Sequence, residues 1–288
     1  MAFHVLALLG RIFGVLPRAW IVAGGRAFGV FVGFALRIRL RQVRTALRET
    51  DVSASAWEVY ARLGARTFLL LRAWARPADP CVVIPPAALA RFPKGPFVLA
   101  GTHTGAWELA AFALGRTGRA VACMVHPPSN ASVRTFLTEL RRRGAIREIV
   151  PQGALSRAAR ELAQGNVVVC VADQVPAAKK HAVRGTFLGR PAWLDRTAAV
   201  LATRAKVPLV VCGVSGPPGH EIVDILEVFS SADGLSVASL TARIHQAIDA
   251  FVRSRPEDWL WLHRRWRDPL ESPRHGAALS LELSAREG

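Results

Sequence analysis

Residues 97–108 read Phe97-Val98-Leu99-Ala100-Gly101-Thr102-His103-Thr104-Gly105-Ala106-Trp107-Glu108. An apolar run leads into a histidine bracketed by glycines, and a helix-forming stretch follows. This pattern is that of a strand, a tight turn and the opening of a helix. It predicts a strand over 97–101 and a helix over 106–114. Further along the chain the same alternation recurs. Strands are expected over 120–125, 146–150, 167–172, 208–214 and 222–229, and helices over 133–143, 155–162, 197–205 and 236–252. Strands alternating with helices predict an α/β domain, with a mainly parallel mixed sheet flanked by helices. Sites in such sheets gather at the carboxyl ends of strands. His103 falls there.

Toward the N-terminus, residues 51–78 have helical spacing (Trp57, Leu63, Phe68, Leu71), and Pro77, Pro80, Pro85 and Pro86 mark a connector. Residues 1–36 are strongly apolar but interrupted by Arg11, Arg18 and Arg26, with Arg37 next. No basic segment precedes the apolar stretch and no small-residue cleavage site follows it, so a removable signal peptide is not expected. The uninterrupted apolar runs fall short of the ~20 residues of a spanning helix. On one helix the four arginines lie within an arc of roughly 100°. Pro17 and Gly24–Gly25 are expected to kink that helix. The preferred reading is an apolar N-terminal helical membrane anchor lying in the interface, its arginines reaching lipid phosphates. A spanning helix and a helix packed on the protein's own core are the alternatives. The basic cluster Arg37, Arg39, Arg41, Arg44 and Arg48 places this end on the cytoplasmic side. The expected division is an anchoring segment over 1–50, a catalytic domain over 51–272 and a disordered tail over 273–288.

Bulk composition narrows the class. Hydrophobic residues make up 51% and the mean hydropathy is +0.24, while 20% charged residues is too many for a polytopic membrane protein. The net charge of +17 calls for a polyanionic partner, either nucleic acid or an anionic membrane surface. A nucleic-acid binder needs aromatics interleaved with basic residues in a recognisable module. With one tyrosine in the chain and three tryptophans gathered at 259–266, nucleic acid is not expected. Cys81, Cys123, Cys170 and Cys212 lie more than 40 residues apart, which excludes a CxxC metal or redox motif and suits buried, reduced thiols.

His103 and Glu108 are the candidate chemical pair. A carboxylate in the new helix can turn back toward the imidazole, fix its tautomer and stabilise its protonated form. The imidazole then takes the proton of an attacking hydroxyl. A histidine in a turn also has a plain structural reading.

The stretch resembles the HxxxxD/E motif of glycerolipid acyltransferases, in the variant of the late lipid A (lauroyl/myristoyl) acyltransferase family. Three further blocks match in order. They are His126-Pro127-Pro128-Ser129-Asn130 with Leu140-Arg141 and Gly144; Asp173-Gln174 with Phe187-Leu188-Gly189 and Thr197; and Pro256-Glu257-Asp258-Trp259-Leu260-Trp261-Leu262-His263-Arg264-Arg265-Trp266. The resemblance covers about residues 95–268. It implies a glycerolipid-acyltransferase-like fold, an acyl-carrier-protein or acyl-CoA thioester donor, and a membrane lipid acceptor such as a lipid A precursor. It implies no metal or organic cofactor. His103 becomes the general base and Glu108 its partner. Arg141 becomes a cation facing a phosphate or oxyanion, and Asp173 and Gln174 residues supporting the site. An arginine usually stands where this chain has His126, and Arg184 is the candidate to supply the missing charge. A backbone N–H near Gly105 is a second candidate oxyanion donor.

Each of these residues also has a simpler explanation. Arg141, Arg142 and Arg143 meet the helix dipole at a helix end, and Asp173 caps a loop. Trp259, Leu262 and Trp266 follow helical spacing and suit a core; Trp259, Trp261 and Trp266 with their arginines also suit membrane contact. The expected location is the cytosolic face of the inner membrane. A lysophospholipid or aminolipid acceptor is the alternative within the same chemistry. A catalytically inactive membrane- or nucleic-acid-binding protein is the alternative outside it.

Overall fold

The protein is described by a computed structural model over residues 2–176, 178–231 and 233–268. The expected tail at 273–288, and residues 269–272 before it, lie outside the described residues. Helices α1 (Ala2–Val15) and α2 (Arg18–Val30) lead through a wide π-turn (Phe31–Ala35) to α3 (Leu40–Glu49) and α4 (Ala56–Ala73). There follow β1 (Val82–Val83), α5 (Pro86–Leu89), β2 (Val98–Gly101), α6 (Trp107–Gly115), β3 (Val121–Met124), α7 (Ala131–Arg143), β4 (Ile146–Ile149), α8 (Ala154–Ala163) and β5 (Val167–Val171). A hairpin of β6 (Ala182–Phe187) and β7 (Arg190–Asp195) precedes α9 (Thr197–Ala205), β8 (Leu209–Ser215), β9 (Glu221–Phe229) and α10 (Val237–Ser254).

The main sheet has the order β1-β9-β8-β2-β5-β3-β4. All its pairs are parallel except β8–β9. The expected mainly parallel mixed sheet is therefore what the chain forms, with β2 at its centre. Alternate residues of β2 feed two cores, as the period of two requires. Val98 and Ala100 pack with α8, α9 and α10, while Phe97 and Leu99 pack with α4, α6 and α7. Cys123, Cys170 and Cys212 sit in strands β3, β5 and β8, and all four cysteines are free thiols. Burial pushes Cys123 and Cys212 up to about 12, which makes them poor nucleophiles.

The N-terminal segment departs from expectation in shape. Pro17 separates α1 from α2, but α2 runs straight through Gly24–Gly25. The small residues serve packing instead. A Cβ at Gly25 would lie 2.7 Å from the Gly64 carbonyl oxygen, and one at Gly29 would overlap that of Tyr60. Glycine at these positions lets α2 lie directly on α4. Arg18 pairs with Asp79, and Arg26 forks onto Glu58 at 2.8 and 3.1 Å. Segment 1–50 thus shares its core with the rest of the chain. Among the described residues no single helix is long and apolar enough to cross a membrane; Arg18–Ala35 and Leu40–Glu49 pass only as two arms bent by 89°.

The hairpin β6–β7 was unforeseen. Its turn is Leu188–Gly189, both at positive φ (49° and 76°), where Asn-Gly is the usual signal. Leu188 is held there by its buried side chain and by its N–H, which donates to Asp249 at 2.5 Å.

Candidate active site

Strands β2 and β5 are parallel neighbours, with Gly101 opposite Val171. The chain leaves both strands at the same level, so His103 and Asp173, each two residues on, emerge side by side. Asp173 Oδ1 lies 2.6 Å from His103 Nδ1. Oδ2 accepts from the His103 N–H at 2.8 Å, the Thr102 hydroxyl at 2.7 Å and the Trp259 indole N–H at 2.7 Å. Asp173 is fully buried. Burial alone would raise its pKa. The facing His103 and the hydrogen bonds from His103, Thr102 and Trp259 outweigh that and hold the carboxyl well below the usual range. An ionised carboxylate only accepts, so His103 Nδ1 carries a proton. The neutral ring then presents its lone pair at Nε2, and Gln174 Nε2 stands 3.0 Å from it as the donor. The imidazole is poised as a base at Nε2, with 15% of its side chain open to solvent.

The expected Glu108–His103 contact is not what forms. Glu108 lies in the first turn of α6 and meets α7, where Arg141 grips it at 2.5 and 3.1 Å. Arg141 also holds Glu148 of β4 at 2.6 Å. Burial acts to lower the Arg141 pKa, yet the two carboxylates keep it above the usual arginine value. Its side chain is only 10% exposed. Its charge thus faces Glu108 and Glu148, not an open phosphate or oxyanion position.

Nor are the turn's amides open. The Gly105 N–H donates to the Asp258 carbonyl at 3.1 Å, and the Ala106 N–H to Glu221 Oε1 at 3.1 Å. Gly105 itself is required: its φ is +59°, and a Cβ would meet Val214 Cγ1 at 2.6 Å. Glu221 is buried against Arg66 (2.8 Å), and burial raises its pKa to about 7 against the opposing pull of Arg66. Arg66 in turn reaches Asp258 at 2.6 Å. The turn is fixed from two sides.

The C-terminal tryptophans belong to this scaffold. The Leu260 N–H donates to the His103 carbonyl at 3.0 Å, and Thr104 bridges Trp259. Residues Pro256–Asp258 form a short 3-10 turn and the chain beyond is irregular, so the expected helical spacing does not apply. Trp259 and Trp261 are buried, and the partly buried Trp266 donates to the Phe187 carbonyl at 3.2 Å. These three pack on each other and on the site, which corrects their reading as membrane contacts. Arg18 and Arg26 are likewise engaged by Asp79 and Glu58, while Arg11 is exposed on α1. Arg184, exposed on β6, stacks on Trp193 at 4.0 Å. His126 follows β3 and, with His181, Asp195 and Thr197, lines a cavity of about 420 Å³ at the carboxyl edge of β3, β4 and β5.

The profile of the bacterial lipid A biosynthesis acyltransferase family matches residues 89–268, a span that includes His103, Asp173, Gln174 and Trp259. The chain belongs to that family. It is an acyltransferase. Its fold is similar to the crystal structure of the 1-acyl-sn-glycerophosphate (LPA) acyltransferase PlsC from Thermotoga maritima, at 14% identity and a TM-score of 0.41, over 93% of this chain and 100% of that one. No curated protein matches. What sequence reading missed in this acyltransferase is the set that fixes Asp173 and the turn: Thr102, Trp259, Asp258, Glu221 and Arg66. Arg66 comes from α4, Glu221 from β9 and Asp258 and Trp259 from the turn after α10, so only the folded chain brings them to His103.

Proposed function

We propose that the protein transfers a fatty acyl chain from a carrier-protein or CoA thioester to a hydroxyl of a membrane lipid, with His103 as base and Asp173 as its partner. The observation that carries this reading is the imidazole fixed at Nδ1 by a buried carboxylate and presenting Nε2. The acceptor hydroxyl displaces the Gln174 amide from Nε2. As its oxygen attacks the thioester carbonyl, its proton passes to Nε2. Asp173 stabilises the resulting imidazolium. The tetrahedral intermediate collapses, the C–S bond breaks, and the departing thiolate takes the proton from Nε2 to leave as a thiol. The products are an ester and a thiol, and no further reactant is needed. Glu108 acts from behind, tying the first turn of α6 to α7 and β4.

The N-terminal helices supply the membrane contact in this reading. Residues 5, 8, 12 and 15 form one stripe of α1, with Val15 exposed at 78%, and Trp20 on α2 is exposed at 69%. Large apolar groups in water at such density mark a surface that meets lipid. The helices lie in the interface on the cytosolic side, as a folded part of the 51–272 catalytic domain's own core.

The test is acyl transfer by purified wild type and His103→Ala, with labelled carrier-protein and CoA donors and a panel of glycolipid, lysophospholipid and aminolipid acceptors. Wild type is expected to yield one acylated lipid, and the folded variant none. Undiminished product in the variant would contradict the role of His103.

A further inference from the structure

Helix α3 buries Leu40, Val43 and Ala46 and turns its opposite face outward. Its position is fixed at its start, where Arg39 and Gln42 donate to the Leu262 carbonyl at 2.5 and 2.9 Å. On the outer face, Arg37, Arg41, Arg44 and Arg48 recur every three or four residues and, with Phe34 and Leu40, line an open groove of about 540 Å³. Arg37, Arg41, Arg44 and Arg48 are exposed, and among the described residues none pairs with a carboxylate. The nearest acids along the chain are already engaged, Glu49 by Arg190 and Asp51 by Arg253. This contrasts with Arg18, Arg26, Arg62, Arg66 and Arg72, each of which closes on an acid. Four like charges left facing one another in a groove repel, and an anion entering it relieves that repulsion.

The groove's surroundings choose the anion. Its floor is aromatic: Arg44 sits 5.4 Å over the Phe34 ring, which packs at 5.2 Å against Trp57, itself 53% exposed. Phe31, Leu36 and Ile38 flank the arginines and are about half exposed. An acidic protein would meet the charges but leave these apolar groups in water. A lipid interface satisfies both, since acyl chains and phosphates occur there at adjacent depths. The groove lies where the chain turns after α2, through the π-turn that holds Phe34.

The geometry points to the Arg37–Arg48 groove as a binding site for the phosphate headgroup of an anionic membrane phospholipid, seated where the bent α2–α3 corner meets the bilayer. This rests on the membrane-contact reading above and adds a charged headgroup site to it. Since α3 is pinned to Leu262, and Leu260 to His103, the bound headgroup sets the depth at which the active-site turn meets the interface.

The test is sedimentation of the full chain with vesicles of phosphatidylcholine alone, or with about a third replaced by phosphatidylglycerol. The double variant Arg41→Ala/Arg44→Ala is compared with Arg157→Ala/Arg160→Ala, which removes the same charge from the exposed face of α8. Wild type is expected to bind both vesicles, and the anionic ones more tightly. The groove variant should lose about 30-fold in partition onto the anionic vesicles, at about 1 kcal/mol per basic residue. The α8 variant should stay within about 3-fold of wild type, and raised salt should erase the difference. Equal losses in both variants, or equal wild-type binding to both vesicles, would overturn the headgroup site while leaving membrane contact intact. No binding to either vesicle would overturn the membrane reading itself. A groove variant that keeps vesicle binding but loses binding to soluble polyglutamate would reassign the groove to an acidic protein.

Discussion

Two carboxylates lie close to His103 in different senses. Glu108 is near along the chain, five residues on, and Asp173 is near across the sheet. The structure gives the imidazole to Asp173 and gives Glu108 to Arg141. Asp173 is buried, accepts three hydrogen bonds on its second oxygen and, among the described residues, has no lysine or arginine in contact. Glu108 is 26% exposed and already has a guanidinium on both oxygens. A buried carboxylate without a cation is the one that needs the imidazole, and it is also the one that can orient it. The motif spacing marks where the imidazole sits, and strand adjacency decides what it pairs with.

The largest expected effect breaks the Asp173 side. Asp173→Asn removes the acceptor that fixes the tautomer, and acyl-transfer kcat should fall about 10³–10⁴-fold with the fold retained. Retention of activity would exclude Asp173 as partner. On the other side, Arg141→Ala strands Glu108 and Glu148 near each other. It should cost about 3 kcal/mol, the low end for opening a buried pair, read as a lowered denaturant midpoint. Per folded molecule, activity should change far less than in Asp173→Asn. Gln174→Leu removes one hydrogen bond at Nε2, so kcat should fall by no more than about 10-fold, with the donor KM unchanged.

The smallest effect concerns stability on the acid side of neutrality, where buried histidines and Glu221 titrate. Burial pushes His245 and His263 down to about 4, and among the described residues neither enclosed Nδ1 has a hydrogen-bond partner. Between pH about 6.5 and 4 these rings bind more protons unfolded than folded, so they withdraw stability as pH falls through that window. Glu221, raised to about 7, works in the opposite sense, adding stability as pH falls from about 7 toward 4.5. His245→Gln should therefore flatten the fall of Tm between pH 6.5 and 4, and an unchanged slope would exclude His245 as a source of it.

Most of the sheet was legible because β2, β3, β5 and β8 are apolar runs and β9 alternates apolar with polar residues, with helices between most of them. The hairpin was not, since its Leu188–Gly189 turn is enforced by burial and Asp249 rather than by local preference. The bend at α3 was equally hidden, because the positive φ values at Arg37 and Arg39 leave no mark in composition. At the site, His103 stood out through its glycines and strand. Asp173 stood out only through the resemblance, and its contact with His103 depends on β5 inserting between β2 and β3. The tryptophans at 259–266 were ambiguous in sequence because an indole suits a lipid interface and a buried hydrogen bond equally well. Trp259 uses the second option, on Asp173.

The measurement that bears most directly on the pairing is the ¹⁵N and ¹H NMR of the His103 ring in wild type, Glu108→Gln and Asp173→Asn. A downfield Nδ1–H resonance is expected in wild type and in Glu108→Gln, and its loss is expected in Asp173→Asn. Loss of that resonance in Glu108→Gln, with its survival in Asp173→Asn, would contradict the assignment and return Glu108 to the imidazole.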